Sequence, residues 1–137
     1  MSDQPHAVRA PHRRLAPSTW RFARNADIEA VAVGQLEGMS GNSTDDLSVK
    51  VLVTGRDAGL MEFRRKKGRV DPRHSHPDHE SICYLVSGRV RVVIEDQSFI
   101  AEPGDAWIHP PGVMHLHETL EDSVQIEVKA PPVRTWD

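Results

Sequence analysis

Polar and apolar residues alternate with a period of two in three separate stretches of this 137-residue chain. The stretches are LSVKVLV at 47–53, RVRVVIE at 89–95 and SVQIEVK at 123–129. Side chains on a β-strand point to opposite faces in turn, so this period predicts strands with one buried face. A stripe with the 3.6-residue period of an amphipathic helix is hard to find. We therefore expect an all-β chain.

Turn signals separate the predicted strands. They are Ser87-Gly88, Asp96-Gln97, Pro103-Gly104 and HPPG at 109–112. Their spacing of roughly 8–12 residues is typical of a sandwich or a barrel. The length fits one domain with one core, which we assign to residues 27–137.

Residues 1–26 form a basic N-terminal arm that contains prolines. Up to residue 24 the arm has five arginines against one aspartate, and few apolar residues. Such a segment lacks the apolar surface to build a core of its own. We expect the arm to be flexible or to lie over a partner subunit.

The stretch ICYLV at 82–86 is apolar on both of its strand faces. A strand of this kind is covered on one side by the barrel core and on the other by something outside it. We expect that cover to come from a second copy of the chain, in a homodimer.

Composition narrows the functional classes. The net charge of −3 gives no strong attraction to nucleic acid, and no apolar run approaches the roughly 20 residues of a membrane span. Cys83 is the one cysteine, so an internal disulfide is impossible and a cytoplasmic location is expected. The N-terminus has no apolar run of the secretory-signal type. The expected partner is a small-molecule substrate or ligand.

Six of the eight histidines lie between positions 74 and 117. His74 and His76 are two residues apart, so on a strand both rings face the same way with Cα atoms about 6–7 Å apart. Two such imidazoles can meet at one ion with bonds of about 2.0–2.1 Å. His115 and His117 repeat the spacing after a rigid Pro-Pro-Gly turn. The pattern predicts a metal site.

Two segments resemble the paired motifs of the cupin superfamily. GRVDPRHSHPDHESICYLVSG at 68–88 resembles the first motif, with a glycine, five residues, His-x-His, an acid and a closing glycine. GDAWIHPPGVMHLHET at 104–119 resembles the second, with a glycine, five residues, Pro-x-Gly, two residues and a histidine. The resemblance covers roughly residues 48–130.

The resemblance implies an antiparallel double-stranded β-helix, the jelly-roll barrel of cupins. It also implies one divalent metal ion per chain (iron, manganese, nickel or zinc). Carried over position by position, the ligands are His74, His76 and His115.

One departure from the cupin pattern leaves the fourth ligand open. Ser81 stands in the slot that usually holds a glutamate or glutamine, and Glu80 is one residue early. A bulge in PDHE would turn Glu80 inward, since adjacent strand residues face opposite sides. Otherwise the ion has three histidine ligands with open positions, or His79 substitutes.

Three further residues are candidates for catalysis. Glu80 would serve as a ligand that also transfers protons, while His109 and His117 would act as a pocket acid or base. Alternation also lets Arg64 or Arg73 face an anionic substrate.

HSHPDHESICYLVSGRV and the ending VQIEVKAPPVRTWD resemble small cupins of the pectin-degradation type. That resemblance implies the opening of 4,5-unsaturated monouronates, and more broadly a lyase, isomerase or cyclase acting on a small oxygenated molecule. Two alternatives remain: an iron-dependent dioxygenase, and a small-molecule-binding cupin without catalysis. A cupin fold alone does not decide between them.

Overall fold

The computed structural model describes residues 13–34, 36 and 45–136. This part of the chain contains eight antiparallel β-strands and a short 3-10 turn at Asn25–Asp27. No helix within it is long and apolar enough to cross a membrane. The strands are β1 (Val31–Ala32), β2 (Leu47–Thr54), β3 (Gly59–Arg65), β4 (Val70–His74), β5 (Glu80–Ile94), β6 (Gln97–Ala101), β7 (Ala106–His109) and β8 (His115–Ala130).

β5 and β8 are the two long strands, with 15 and 16 residues, and they pair with each other along most of their length. The first half of β5 and the second half of β8 form one sheet with β3, β2, β1 and β7. The other two halves form a second sheet with β4 and β6. Side chains of the two sheets meet inside, as in a jelly roll. The predicted all-β barrel is confirmed.

A glycine occupies the bend where β5 passes between the sheets. Gly88 has a φ of 91°, and the pairing with β8 shifts register between Leu85 and Val90. A Cβ atom on Gly88 would lie 2.3 Å from Ser123 Oγ and 2.4 Å from the Asp122 carbonyl oxygen, so a side chain cannot fit. The shift moves the inward residues of β5 from odd to even positions, whereas those of β8 stay odd on both sides of the bend.

The apolar core is divided into two clusters. One joins β2 and β3 to the C-terminal segment, where the rings of Phe63 and Trp136 meet edge to face with centroids 5.9 Å apart. The other joins β5, β6 and β7 around Val90, Val92 and Trp107. Burying one such side chain contributes about 1.5–3 kcal/mol, so these clusters are the main favourable term in folding.

The buried face of the second half of β8 is polar. Gln125, Glu127 and Lys129 lie inside the barrel, while the valines and isoleucine that alternate with them are only partly buried on the outer face. Hydrophobicity alone suggests the opposite orientation for SVQIEVK. The inverted orientation is possible because Glu127 accepts hydrogen bonds from both Gln125 and Lys129, which compensates their removal from water.

The outer face of the same sheet carries an apolar patch. Ile82, Tyr84 and Val86 of β5 each expose almost half of their surface. Ile82 lies between Ile108 of β7 and Val128 of β8 across the sheet. ICYLV is thus covered by the barrel on its inner face only, within the residues that the structure describes.

Asp71 binds two guanidinium groups inside the barrel. Its Oδ2 accepts a hydrogen bond from Arg65 Nε at 2.9 Å, and its Oδ1 accepts one from Arg69 Nε at 2.7 Å. Burial by itself would raise the pKa of Asp71, but the charge of Arg65 and the other neighbours hold that pKa well below its usual range. The carboxylate therefore stays ionised and ties β3 to β4.

The described part of the N-terminal arm packs against its own barrel. The Leu15 amide donates to the Pro132 carbonyl oxygen at 3.0 Å, and Ser18 and Thr54 exchange two hydrogen bonds of 2.8 and 2.9 Å. These contacts differ from the expected flexible or partner-bound arm, because the arm's backbone finds donors and acceptors on β2 and on the C-terminal segment. Residues 1–12 lie outside the described part.

Asp71→Asn should lower the free energy of unfolding by about 3–5 kcal/mol, because two buried guanidinium groups lose their counter-charge. The depressed folded-state pKa of Asp71 also sets a pH dependence. Its contribution is complete above the unfolded pKa of about 3.9 and is lost as the pH falls through the folded value. Urea unfolding between about pH 3 and pH 7 measures both effects, and the variant should lose less stability in acid than the wild type.

The control is Asp57→Asn in the exposed Arg56–Asp57 pair, which should change stability little. Equal losses in the two variants would contradict the role given to Asp71.

We propose that a second copy of the chain covers the apolar patch, because contiguous exposed apolar surface marks association sites and a sheet face can pair with itself about a two-fold axis. Light scattering should then give about twice the 15.3 kDa of one chain. Tyr84→Glu should shift the mass toward the monomer, whereas Lys67→Glu in the β3–β4 turn should not. A wild-type mass of one chain at micromolar concentration would rule out the dimer.

Candidate metal centre

Three buried histidines converge inside the barrel. His74 ends β4, His76 follows in the next loop, and His115 begins β8 with its Cα paired to that of His74. The ring centroids are 5.0 Å apart for His74 and His76, 4.3 Å for His74 and His115, and 5.5 Å for His76 and His115. One ring nitrogen of each lies within 4.8 Å of the other two, which is close enough to share one ion.

A backbone hydrogen bond joins the two loops that carry these histidines. The Gly112 amide donates to the His76 carbonyl oxygen at 2.8 Å. Gly112 has a φ of 77°, a conformation that glycine adopts without strain. The Val113 amide closes the turn on the Pro110 carbonyl oxygen at 3.2 Å. The Pro-Pro-Gly turn therefore both directs the start of β8 and holds the loop of His76.

Hydrogen bonds to the backbone fix the tautomers of two of the histidines. Nδ1 of His74 donates to the Pro72 carbonyl oxygen at 2.6 Å, and Nδ1 of His115 donates to the Val113 carbonyl oxygen at 3.2 Å. A carbonyl oxygen only accepts, so the proton of each neutral ring is on Nδ1. The lone pair on Nε2 remains available to a metal ion.

The same two rings are neutral near pH 7. Burial, aided by His76, lowers the pKa of His74 to about 4. Burial, aided by His74, lowers the pKa of His115 to about 2. Metal ions bind the neutral imidazole, so this environment suits ligation. Imidazole donors fit iron, nickel or zinc well, and manganese less strongly.

The candidates for a fourth ligand lie outside this cluster in the described part of the chain. Glu80 is the first residue of β5, and its side chain is partly exposed. His79 is buried, and its ring centroid lies 4.8 Å from that of His76. Ser81 faces inward but accepts a hydrogen bond from Lys129 Nζ at 3.3 Å. The structure thus places the ring of His79, rather than the carboxylate of Glu80, in contact with the triad.

His109 and His117 form a pair beside the triad. The ring of His109 stacks on that of His115 with centroids 3.8 Å apart. Nε2 of His109 accepts a hydrogen bond from Trp107 Nε1 at 3.1 Å and lies 3.1 Å from Nε2 of His117. Nδ1 of His117 faces Asp71 Oδ2 at 3.6 Å. Burial lowers the pKa of both histidines.

Charged side chains form the opposite wall of the site. Arg65 and Lys129 approach the ring of Phe63, with the guanidinium carbon 5.6 Å and the ammonium nitrogen 5.9 Å from its centroid. Gln125 links Arg65 to Glu127, since its Oε1 accepts from Arg65 at 3.1 Å and its Nε2 donates to Glu127 at 2.9 Å. Burial would raise the pKa of Glu127, but Lys129 and other neighbours hold it well below its usual range.

Neither Arg64 nor Arg73, which alternation allowed to face a substrate, lies in this wall, and most residues of the wall were not predicted. Arg64 is largely exposed and pairs with Glu62 at 3.1 Å, and Arg73 is also exposed. Arg65 is the arginine that faces inward. A signal for the missed residues was present, because Glu127 and Lys129 share the odd-numbered face of one strand with His115.

Both walls enclose an open pocket with an empty volume of about 360 Å³ including its mouth. Its lining residues are Leu36, Phe63, Arg65, Asp71, His74, His76, Ser81, His109, His115, His117, Glu127, Lys129 and Thr135.

Comparison with known proteins agrees with this architecture. A family model described as "Cupin domain" matches residues 61–128. The pectin degradation protein KdgF of Dickeya dadantii (strain 3937) is 31% identical over 88 residues, which cover 64% of this chain and 80% of that protein. The chain belongs to the cupin family. The expected likeness of this cupin to the pectin-degradation type is also confirmed.

Solved structures show the same fold. KdgF from Halomonas sp. matches with a TM-score of 0.68 and 25% identity, covering 80% of this chain and 94% of that one. The polyketide cyclase RemF from Streptomyces resistomycificus matches with a TM-score of 0.65 and 21% identity, covering 85% of each chain. An RmlC-like cupin from Shewanella frigidimarina matches with a TM-score of 0.67 and 19% identity, covering 82% of this chain and 92% of that one.

Replacing His74, His76 or His115 by alanine should remove most of the bound metal, because each change deletes one of three nitrogen donors. Elemental analysis of the purified protein measures the occupancy. Glu80→Ala should retain the metal, since its side chain lies outside the cluster. A loss of affinity of about 10–100-fold in that variant would instead show that Glu80 supports the ion. Full occupancy in all three histidine variants would exclude the site.

Proposed function

We propose that this cupin is a metal-dependent enzyme of the lyase, isomerase or cyclase type, acting on a small oxygenated molecule such as an unsaturated sugar acid. The supporting observation is a single pocket that combines three convergent neutral imidazoles with a wall of buried charges. Burying so many polar groups is unfavourable for folding and is typical of functional sites. The names of two relatives, a pectin degradation protein and a polyketide cyclase, favour the same class of reaction.

The proposed ion, one per chain, is held by His74, His76 and His115. When bound, it would supply Lewis acidity toward a carbonyl or hydroxyl oxygen of the substrate. The donor set is neutral, so it does not offset the charge of a divalent ion. The protein thereby leaves that charge to act on the substrate.

His109 and His117 are the candidates for proton transfer. Nε2 of His109 accepts the hydrogen bond of Trp107, so neutral His109 carries its own proton on Nδ1. Asp71 Oδ2 lies 3.6 Å from Nδ1 of His117 and favours a proton on that nitrogen. The two buried histidines can therefore hold and pass a proton beside the proposed ion.

The charges of the pocket favour an anionic substrate. Among its lining residues, Arg65 and Lys129 balance Asp71 and Glu127, so a divalent ion would leave an excess of two positive charges. Lys129 donates to Glu127 and Ser81, and an ammonium group has three donors. The third donor is available to a substrate carboxylate, which agrees with a sugar acid.

An iron-dependent dioxygenase is the second candidate. The observation that favours it is the all-nitrogen donor set, since no carboxylate joins the cluster within the described residues. Histidine sites with open positions also suit iron and oxygen chemistry. A cupin that binds a small molecule without turnover would use the same pocket. Iron content and oxygen consumption on candidate substrates separate these functions.

We also propose a cytoplasmic location. Cys83, which is the one cysteine of the chain, is a buried free thiol. A protein without disulfides is compatible with a reducing compartment.

Lys129→Met should raise KM of the metal-loaded enzyme for a 4,5-unsaturated uronate by about 10-fold or more, because a charged hydrogen bond contributes about 1.5–3 kcal/mol. kcat should change less. His109→Asn should instead lower kcat more than it changes KM. Turnover is measured as the loss of the enol-ether absorbance of the substrate.

Removing Lys129 alone leaves Glu127 buried without a counter-charge, so a double variant, Lys129→Met with Glu127→Gln, is the control for misfolding. It should show the same rise in KM. An unchanged KM in both variants would exclude the carboxylate contact. Absence of wild-type turnover with uronates, keto acids and thiols under air would favour the binding function.

A further inference from the structure

The N-terminal arm reaches the loop of His76. Arg13 Nη1 donates to Asp78 Oδ2 at 2.5 Å, and Nη2 donates to Oδ1 at 3.2 Å, in the two-pronged geometry that favours arginine–carboxylate pairs. The Arg13 side chain is only 14% exposed, compared with 88% for Arg56 in the surface pair Arg56–Asp57. Asp78 is 41% exposed, so the pair is sheltered on the Arg13 side, which reduces screening there relative to a fully exposed pair.

Backbone hydrogen bonds hold Arg13 in place. Its carbonyl oxygen accepts from the Arg134 amide at 2.5 Å. The next residue, Arg14, forms an antiparallel bridge with Val133. Arg13 therefore extends its guanidinium group from a strand-like segment anchored to the C-terminal end of the barrel, so its backbone is already ordered when the side chain binds Asp78.

Asp78 connects Arg13 to the histidines of the loop through a hydrogen bond with His79. Its Oδ1 accepts a hydrogen bond from Nδ1 of His79 at 3.1 Å. The His79 side chain is fully buried, its ring is tilted by 33° against that of His76, and the two centroids are 4.8 Å apart. Nε2 of His79 has no hydrogen-bond partner within the described residues. A buried lone pair of this kind, beside a metal-binding histidine, is expected where an ion or its bound ligand lies nearby.

We propose that Arg13 is a positioning residue of the metal centre. Through Asp78 and His79, it holds the loop at 75–79 in the conformation that places His76 toward the ion. The inference rests on the proposed metal site and adds a residue from the N-terminal arm to it.

The physical reason lies in the loop itself. Residues 75–79 belong to no strand, so sheet hydrogen bonds do not hold them. The Gly112 amide fixes one side of the loop at the His76 carbonyl, and the Arg13–Asp78 pair fixes the other. Groups that orient metal-binding histidines in this indirect way typically change metal affinity by about 10–100-fold.

The experiment measures Zn²⁺ affinity of the full-length protein by competition with a chromogenic chelator. Arg13→Met should weaken binding about 10-fold, and Arg13→Lys, which keeps the charge, should recover part of the loss. Arg14→Met is the matched control, because Arg14 donates to the Arg56 carbonyl oxygen and does not touch the metal loop. It should bind Zn²⁺ like the wild type.

Two further measurements separate positioning from a general loss of stability. At saturating Co²⁺ the visible absorption bands should shift in Arg13→Met, and remain unchanged in Arg14→Met, since they report the ligand geometry. The double variant Arg13→Met with Asp78→Asn should have a metal affinity no lower than that of the single variant with the lower affinity. Both changes break the same Arg13–Asp78 ion pair, so their effects should not add.

Equal Zn²⁺ affinity and Co²⁺ spectra in wild type and Arg13→Met would overturn this inference and leave the metal centre intact. Failure of the wild type to bind either ion would overturn both this inference and the proposed metal site. A loss of affinity in Arg14→Met equal to that in Arg13→Met would also overturn it, because the effect would then come from the charge of the arm as a whole.

Discussion

The pairing of β5 with β8 is the interaction on which both the barrel and the candidate site depend. Each strand contributes one half to each sheet, so the same hydrogen-bonded pair supports both walls. The bend at Gly88 changes the inward parity of β5 but not that of β8. β8 consequently carries His115 and His117 at one end, and Glu127 and Lys129 at the other, all facing one interior. Metal donors and charges meet because one strand presents both.

Burying charged side chains in that interior is unfavourable for folding, and this cost indicates that the charges serve a function. Arg65, Asp71, Glu127 and Lys129 are all buried, and each is paired with an opposite charge. Pairs of this kind are often less favourable than apolar residues of similar size, so stability alone does not account for them. Placed around a pocket, they supply fixed charges that need no reorganisation when a polar ligand enters. The same arrangement explains why the apolar residues of β8 lie on the outer face.

The sequence predicted the barrel and the three converging histidines, because strand period, turn spacing and His-x-His motifs are local signals. It did not predict the orientation of SVQIEVK. Alternation shows that a strand has two unlike faces, but whether the apolar or the polar face is buried depends on partners that are distant in sequence, such as Arg65 for Gln125. The choice among Glu80, His79 and a site of three histidines stayed open for a similar reason, since it depends on where the strand begins. The contact of Arg13 with Asp78 spans 65 positions and has no local signature.

The loop at 75–79 contacts segments that are far apart in the sequence, and it carries His76 of the candidate metal centre. The loop at 75–79 lies between two long-range contacts, one from the turn before β8 and one from the arm, and the arm is itself bound to residues after β8. Segments from the beginning, the middle and the end of the chain therefore meet around His76. A loop held by such contacts can keep its donors in place before an ion arrives, which lowers the entropy lost on binding. It also lets the arm, which contributes little to the core, influence the site at the centre of the barrel.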